Sequence, residues 1–405
     1  MVFDTDHYGA VGVARSLGRL GIPVYFIDSN PKTISFYSRY CKQGFNYNKE
    51  IGYSEATVDF LIKIGKSIGH NSILIYTTDD SANLCADYFS VLKKYYTYHE
   101  LSPTLMKSIA SKKGMYYLAK NCGIPTAETK FPESRQDVEE FLKTTSFPIM
   151  LKGIDGRTSL IRAGRKMFIT KTKEELLGLY DKFETPSHPN YMLQEYIPGN
   201  EESIWMYNGY FNAKSESLFG VTGKKIRQSP VYTGSTSLGI CLKNKIVEET
   251  TNKLAKKIGY KGIIDIGYRY DKRDDEYKVL DINPRIGQTF RLFAATNGID
   301  VARAAYFDLT NQPVPSSTVY EGRKWIVEDK DLISSIRYMH DKKLNIRQWL
   351  GSFRGIQESA WFAKDDPLPF LLMCKQFLGR STEHLLRLSS NESNQPFWDH
   401  FGSTP

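Results

Sequence analysis

The sequence predicts a mixed α/β and α+β protein, and three patterns carry that expectation. The first hundred residues alternate apolar strand-like runs with helical periods. From about Leu101 the strand candidates come in antiparallel-looking pairs joined by polar turns, and from about Tyr320 onward the chain reads as helical and aromatic. At 405 residues, with roughly 150 residues to a domain, there is room for two or three domains and a sizeable core.

The N-terminal elements follow in order. Val2 and Phe3 are the remnant of a short strand, residues 4–9 form a turn, and a helix carrying Val11, Ala14, Leu17 and Leu20 closes at Gly21 before Pro23. A strand at 24–27, a helix at 54–67, a strand at 72–76 and a helix at 82–93 complete βαβ units on a parallel sheet, a Rossmann-like domain over 1–100. Ligands of such sheets sit beyond the carboxyl ends of the strands, here the turns at 4–12, 28–30 and 77–81. His7, Arg15, Asp79 and Asp80 lie at these turns or on the first helix, although His7 and Asp6 equally suit helix capping.

A second domain is expected over 101–320, opening at Ser102-Pro103. Its strand candidates are 147–151, 166–170, 191–196, 203–207, 263–270 and 277–282, the last two joined as a hairpin by the polar turn 271–276. Residues 129–193 read as a mobile flap within it. Beyond 320 a helical extension with Trp325, Trp349 and Trp361 ends in a polar tail after Leu388, expected to be mobile.

Composition narrows the class. Hydrophobic residues make up 41% and charged residues 24%, ordinary values for a globular protein. The net charge of +9 permits an anionic ligand but is too diffuse to indicate nucleic acid. Five cysteines, far apart and without a Cys-x-x-Cys pair, point to neither disulfides nor zinc and fit a reducing cytoplasm. Asp4, Asp6 and His7 leave no room for the basic and apolar regions of a secretory signal, so none is expected, and no run of about eighteen apolar residues would span a bilayer.

Three local patterns carry chemistry. Asp281 and Asn283 are two apart on a strand, so they share a face, and Asp265 on the hairpin partner joins them, giving three hard oxygen ligands suited to Mg²⁺ with Mn²⁺ as an alternative. Arg285 continues that face. A solvated hairpin would carry the same letters. Lys152 ends an apolar strand before a glycine-containing loop (Gly153, Gly156, Gly164), a flap able to cover phosphates, although a solvated strand end reads alike. Gln194, Glu195, Tyr196 and Ile197 lead to Pro198-Gly199, with Glu201 and Glu202 beyond, an extended segment that can offer main-chain groups to a base. Arg227, in Lys224-Lys-Ile-Arg227, and the hydroxyl-rich run 233–239 are further candidates to face an acceptor substrate.

The order of these signals, Ser111-Lys112, Gly123-Ile-Pro125, Lys152, 194–199, Asp265 and Asp281-Ile-Asn283-Pro-Arg285, resembles the ATP-grasp superfamily, in particular its carboxylate–amine ligases such as D-aspartate ligases. The resemblance implies an ATP-grasp fold behind a pre-ATP-grasp domain. It also implies that Lys112 (or Lys113) and Lys152 contact phosphates, that Glu195 and Ile197 meet adenine through their backbone, and that Glu202 or Glu201 holds the ribose. Asp265, Asp281 and Asn283 would then ligate Mg²⁺, with Arg285 on the reacting group. It implies further an ADP-releasing ligase acting on a small carboxylate and an amine; the basic, aromatic C-terminal part suits either guiding an anionic cell-envelope precursor as acceptor or packing on the catalytic core as a further helical layer. Two other classes compete: a non-catalytic ATP sensor or scaffold, and a nicotinamide oxidoreductase built on Gly9, Gly12 and Asp28, whose spacing lacks the close Gly-x-Gly approach to a pyrophosphate.

Overall fold

A computed structural model describes residues 1–185, 187–199 and 201–389; the polar tail after 389 lies outside the described residues. The N-terminal sheet is parallel, in the order Cys41–Asn46, Val24–Asp28, Val2–Phe3, Ile75–Tyr76. The strand expected at 72–76 is split: Ser72–Ile73 pairs instead with Tyr96–Thr97. Helix Tyr8–Gly18 is buried along all but its last residue, because its Val11, Val13, Ala14 and Leu17 meet the sheet while the opposite side packs on other parts of the chain.

A four-stranded antiparallel sheet follows, ordered Thr129–Lys130, Tyr191–Glu195, Ile149–Gly153, Met167–Thr170. It has its own apolar core, built on Val138, Ile149, Leu151, Leu176 and Leu193. The flap departs from the expected open glycine loop, for Gly156–Ala163 is a helix, capped by the Asp155 carboxylate on the N–H groups of Arg157 and Thr158. Asp155 supplies the N-cap that a plain count of glycines overlooks.

The largest sheet has seven strands, in the order Glu276–Asn283, Gly262–Asp271, Ile204–Phe211, Ser217–Ser229, Ser235–Cys241, Lys324–Ile326, Ile356–Ser359. Two findings here correct the sequence reading. The hydroxyl-rich run 233–239 is no loop but belongs largely to strand Ser235–Cys241. The extension after 320 is not purely helical: Lys324–Ile326 and Ile356–Ser359 lengthen the sheet before helix Leu368–Ser389. One apolar core runs from Val2 and Tyr8 through Met206 and Phe290 to Trp325, Trp361 and Met373, so the last segment shares the interior of the first.

Buried ion pairs fix that segment. Arg15 donates to Asp366 at 2.9 Å and to the carbonyls of Ala360, Trp361 and Asp366. Arg291 and Arg323 both grip Glu358. Among the described residues no helix is long and apolar enough to cross a membrane.

Candidate active site

The site grows from the hairpin. Asp265 lies directly opposite Asn283 in the antiparallel register, and Gly267 opposite Asp281. Strand alternation then gathers Asp265, Asp281 and Asn283: the Asn283 amide nitrogen donates to the Asp281 carboxylate at 3.0 Å and to the Asp265 carbonyl at 3.2 Å. Two glycines make the space. A Cβ at Gly267 would stand 2.3 Å from the Asp281 carboxylate, and one at Gly287 would stand 2.5 Å from that of Asp265. Burial raises Asp265 to about 6, with Asp281 pushing the same way and Arg285 opposing. Arg285 donates to Asn283 Oδ1 at 3.0 Å and reaches across to Asp79 of the N-terminal sheet at 3.2 Å.

Beside the hairpin, Lys112, Lys152, Met115, Met192, Gln194 and Leu280 line a narrow cleft of mixed apolar and cationic character. Lys112 donates to the carbonyls of Gly153 and Ile154 at 2.9 and 2.8 Å. Burial, aided by repulsion from Lys152, lowers it to about 8. Burial also lowers Lys152, which Asp281 opposes. The neighbouring Lys113 lies over the Phe131 ring instead, so of the two adjacent lysines it is Lys112 that enters the cleft.

The 194–199 segment borders the same cleft. Gln194 is buried and donates to Thr129 Oγ1. The Glu195 N–H already serves the Glu128 carbonyl, and its carboxylate is held by Arg273 at 2.8 Å and Lys278 at 3.2 Å, so the Glu195 backbone has only its carbonyl to offer a ligand. Tyr196 packs beneath Arg269, and Ile197 is buried. Glu202 is exposed in the turn Glu201–Ser203; the Glu201 side chain lies outside the described residues.

Other expected residues are elsewhere. Arg227 is buried against helix Glu328–His340, its guanidinium paired with both oxygens of Asp331 at 2.8 Å. A β-bulge between Lys225 and Arg227 breaks the alternation that sequence reading assumes, and it is Lys225 that feels the charges of Asp281 and Asp265. Within a Lys-Lys pair nothing local distinguishes the two. Arg15 is spent on Asp366, and Asp80 is exposed. His7 caps the first helix, its Nδ1 accepting from the Ala10 N–H and its Nε2 bonded to Thr77. Asp28 accepts from the N–H groups of Thr5 and Asn30, and Gly9 and Gly12 let the helix lie against Gln288 and Arg291. These contacts take up the residues on which a nicotinamide site would depend.

Two carboxylates and an amide oxygen, all hard donors, leave coordination positions for phosphate oxygens and water, which suits Mg²⁺. Among the described residues there is no group of three or more His, Cys, Asp or Glu placed to hold a metal ion, so a site made wholly from such side chains has no counterpart here.

Comparison with known proteins bears on the fold. Residues 223–307 match the family described as the ATP binding domain of the carbamoyl-phosphate synthase L chain. The fold resembles N5-carboxyaminoimidazole synthetase from Staphylococcus aureus complexed with ADP (TM-score 0.60, 13% identity, 78% of this chain and 79% of that one). The fold is an ATP-grasp fold. Another structure with this ATP-grasp fold, L-amino acid ligase from Bacillus licheniformis, aligns with a TM-score of 0.57 at 13% identity, over 78% of this chain and 74% of that one. In sequence, the D-aspartate ligase of Enterococcus faecium (strain Aus0004) is 24% identical over 67% of this chain and 68% of its own. The carbamoyl phosphate synthase large chain of Methanosarcina barkeri (strain Fusaro / DSM 804) is 21% identical over 74% of this chain, which spans 27% of that larger protein.

Proposed function

We propose that this ATP-grasp protein is a carboxylate–amine ligase that releases ADP. The observation that carries the reading is the cleft: two lysines line it, Lys152 repelling Lys112, each disfavoured by burial, and both feel the charge of Asp281. A polyphosphate bound together with a divalent cation would relieve the crowding of the lysines and the charge of the carboxylates.

A carboxylate resists attack by amines because its leaving group is poor. Transfer of the ATP γ-phosphoryl group to it gives an acyl phosphate and ADP, and the amine then expels phosphate. In this scheme Lys112 and Lys152 hold the phosphates. Gln194, Glu195, Tyr196 and Ile197 border the base, and Glu202 or Glu201 meets the ribose. Asp265, Asp281 and Asn283 are the residues that would hold Mg²⁺, which when bound neutralises phosphate charge. Arg285 orients the reacting acyl group, steadied by Asp79. The sheet over 129–193 is the lid that excludes water from the acyl phosphate. Similarity to a D-aspartate ligase makes D-aspartate the first carboxylate to test, and the positive net charge suits an anionic cell-envelope precursor as the amine bearer.

Hydroxylamine in place of the amine tests the reaction class. The ligase reading requires a hydroxamate in step with ADP and phosphate. AMP as the product would overturn γ-transfer, and ATP binding without carboxylate-stimulated turnover would leave a sensor.

A further inference from the structure

The corner between helix Glu328–His340 and helix Ile346–Ser352 carries a surface that the proposed function leaves unused. Of residues 342–351 all but Leu344 and Trp349 are exposed, so the corner stands out from the body of the fold. Ile346 and Leu350 are 55% and 56% exposed, and four positions apart on a helix they share a face. That face cannot turn inward, because the other side of the helix is fixed. The Trp349 indole donates to Asp331 at 3.3 Å, its ring packs edge-on against Phe353, and Ser352 accepts from the buried Arg227 at 2.9 Å.

Lys342, Lys343, Arg347 and Arg354 flank the two aliphatic residues in sequence and are exposed, and among the described residues none of the four has an ion-pair partner. The neighbouring carboxylates are already engaged: Asp341 accepts from Arg337 and from Tyr232, each at 3.0 Å, Asp331 holds Arg227, and Glu358 holds Arg291 and Arg323. An aliphatic tip with a surplus of unpaired positive charge complements a surface that is apolar within and negatively charged outside.

We propose that this corner docks the protein on an anionic phospholipid surface, with Ile346 and Leu350 entering the boundary between headgroups and acyl chains and Lys342, Lys343, Arg347 and Arg354 facing the lipid phosphates. The attachment is peripheral, since no helix among the described residues is long and apolar enough to cross a membrane. It does not depend on the reaction assigned to the cleft, and its test needs no turnover.

The full chain is sedimented with vesicles of phosphatidylcholine alone or mixed with phosphatidylglycerol. It should bind the mixed vesicles, release them as salt rises, and ignore the neutral ones. Lys342→Gln with Lys343→Gln should weaken binding by roughly thirtyfold, at about fivefold per cation. Lys253→Gln with Lys256→Gln, which removes the same charge from exposed positions of helix Lys245–Ile258, should change it by less than about twofold. Ile346→Ser with Leu350→Ser should weaken binding about tenfold or more, with the melting temperature nearly unchanged because both side chains already face water. No binding to the mixed vesicles overturns the proposal. So does an equal loss in the two lysine pairs, or binding that the serine pair leaves intact, since either would mean adsorption by net charge alone. A concentration-dependent dimer in sedimentation velocity that the serine pair abolishes would also overturn it, making a second copy of the chain the occupant of this face.

Discussion

Asp265 and Lys112 owe their shifted titration to burial, and each makes a pH-dependent outcome measurable. The Asp265 carboxyl titrates at about 6 in the metal-free fold, above the ordinary carboxylate value, so the fold prefers it neutral. Stability of the metal-free protein should therefore fall as pH rises through that interval, whereas Mg²⁺ binds only the ionised form and should stabilise increasingly over the same range. Melting curves at about pH 5 and about pH 7.5, with and without Mg²⁺, check this, and a metal-induced shift equal at both would remove Asp265 from the ligand set. Lys112, lowered to about 8, must regain a proton to bind phosphate at higher pH. Nucleotide affinity should decline by up to about tenfold per pH unit above that value, and Lys112→Arg should flatten the decline. Asp281→Asn should lower turnover by orders of magnitude with the melting temperature nearly unchanged, because a polar hairpin face loses a charge without gaining a cavity; full activity at saturating Mg²⁺ would contradict its assignment.

At the scale of elements, the sequence told most where a strict period applied. Asp281 and Asn283 were legible as a pair because strand side chains alternate, and the polar turn at 271–276 announced their partner. Alternation misled at Arg227, where the bulge after Lys225 changes the register, and it had nothing to work on in Lys324–Ile326 and Ile356–Ser359, strands of three and four residues. The glycines that shape the site were hidden for another reason: their role is to leave room for a carboxylate from another segment. Gly267→Ala should force the Asp281 carboxylate aside, lowering Mg²⁺-dependent turnover by about a hundredfold with little loss of stability, since alanine suits a strand better than glycine. Steady-state kinetics together with a thermal melt decide it; an unchanged rate would show that the carboxylate position is not critical.

The whole molecule is closed by contacts with no local signature. Arg15 and Asp366, Arg227 and Asp331, and Arg291 and Arg323 with Glu358 link residues distant in sequence through buried charge. Such pairs add little over an apolar packing but are costly to break. Arg15→Ala should destabilise the protein by about 3–5 kcal/mol, read as a shift in urea midpoint, because Asp366 keeps only Ser38 and the Arg39 N–H as partners. The double variant Arg15→Met with Asp366→Ala should recover part of the loss; no recovery would mean that the pair's geometry matters beyond its charge balance.

The Arg15–Asp366 pair also sets a timetable for synthesis. The two residues are 351 positions apart, and at about 5–20 residues per second a ribosome needs roughly 20–70 s to travel between them. Throughout that interval the first helix carries a cation whose buried counter-charge has not yet been made, and near its end the edge strand Lys324–Ile326 waits for Ile356–Ser359 to cover it. A nascent chain interrupted late therefore leaves the ribosome with an uncompensated arginine and an open sheet edge, the features by which holding chaperones and proteases distinguish unfinished chains from finished ones.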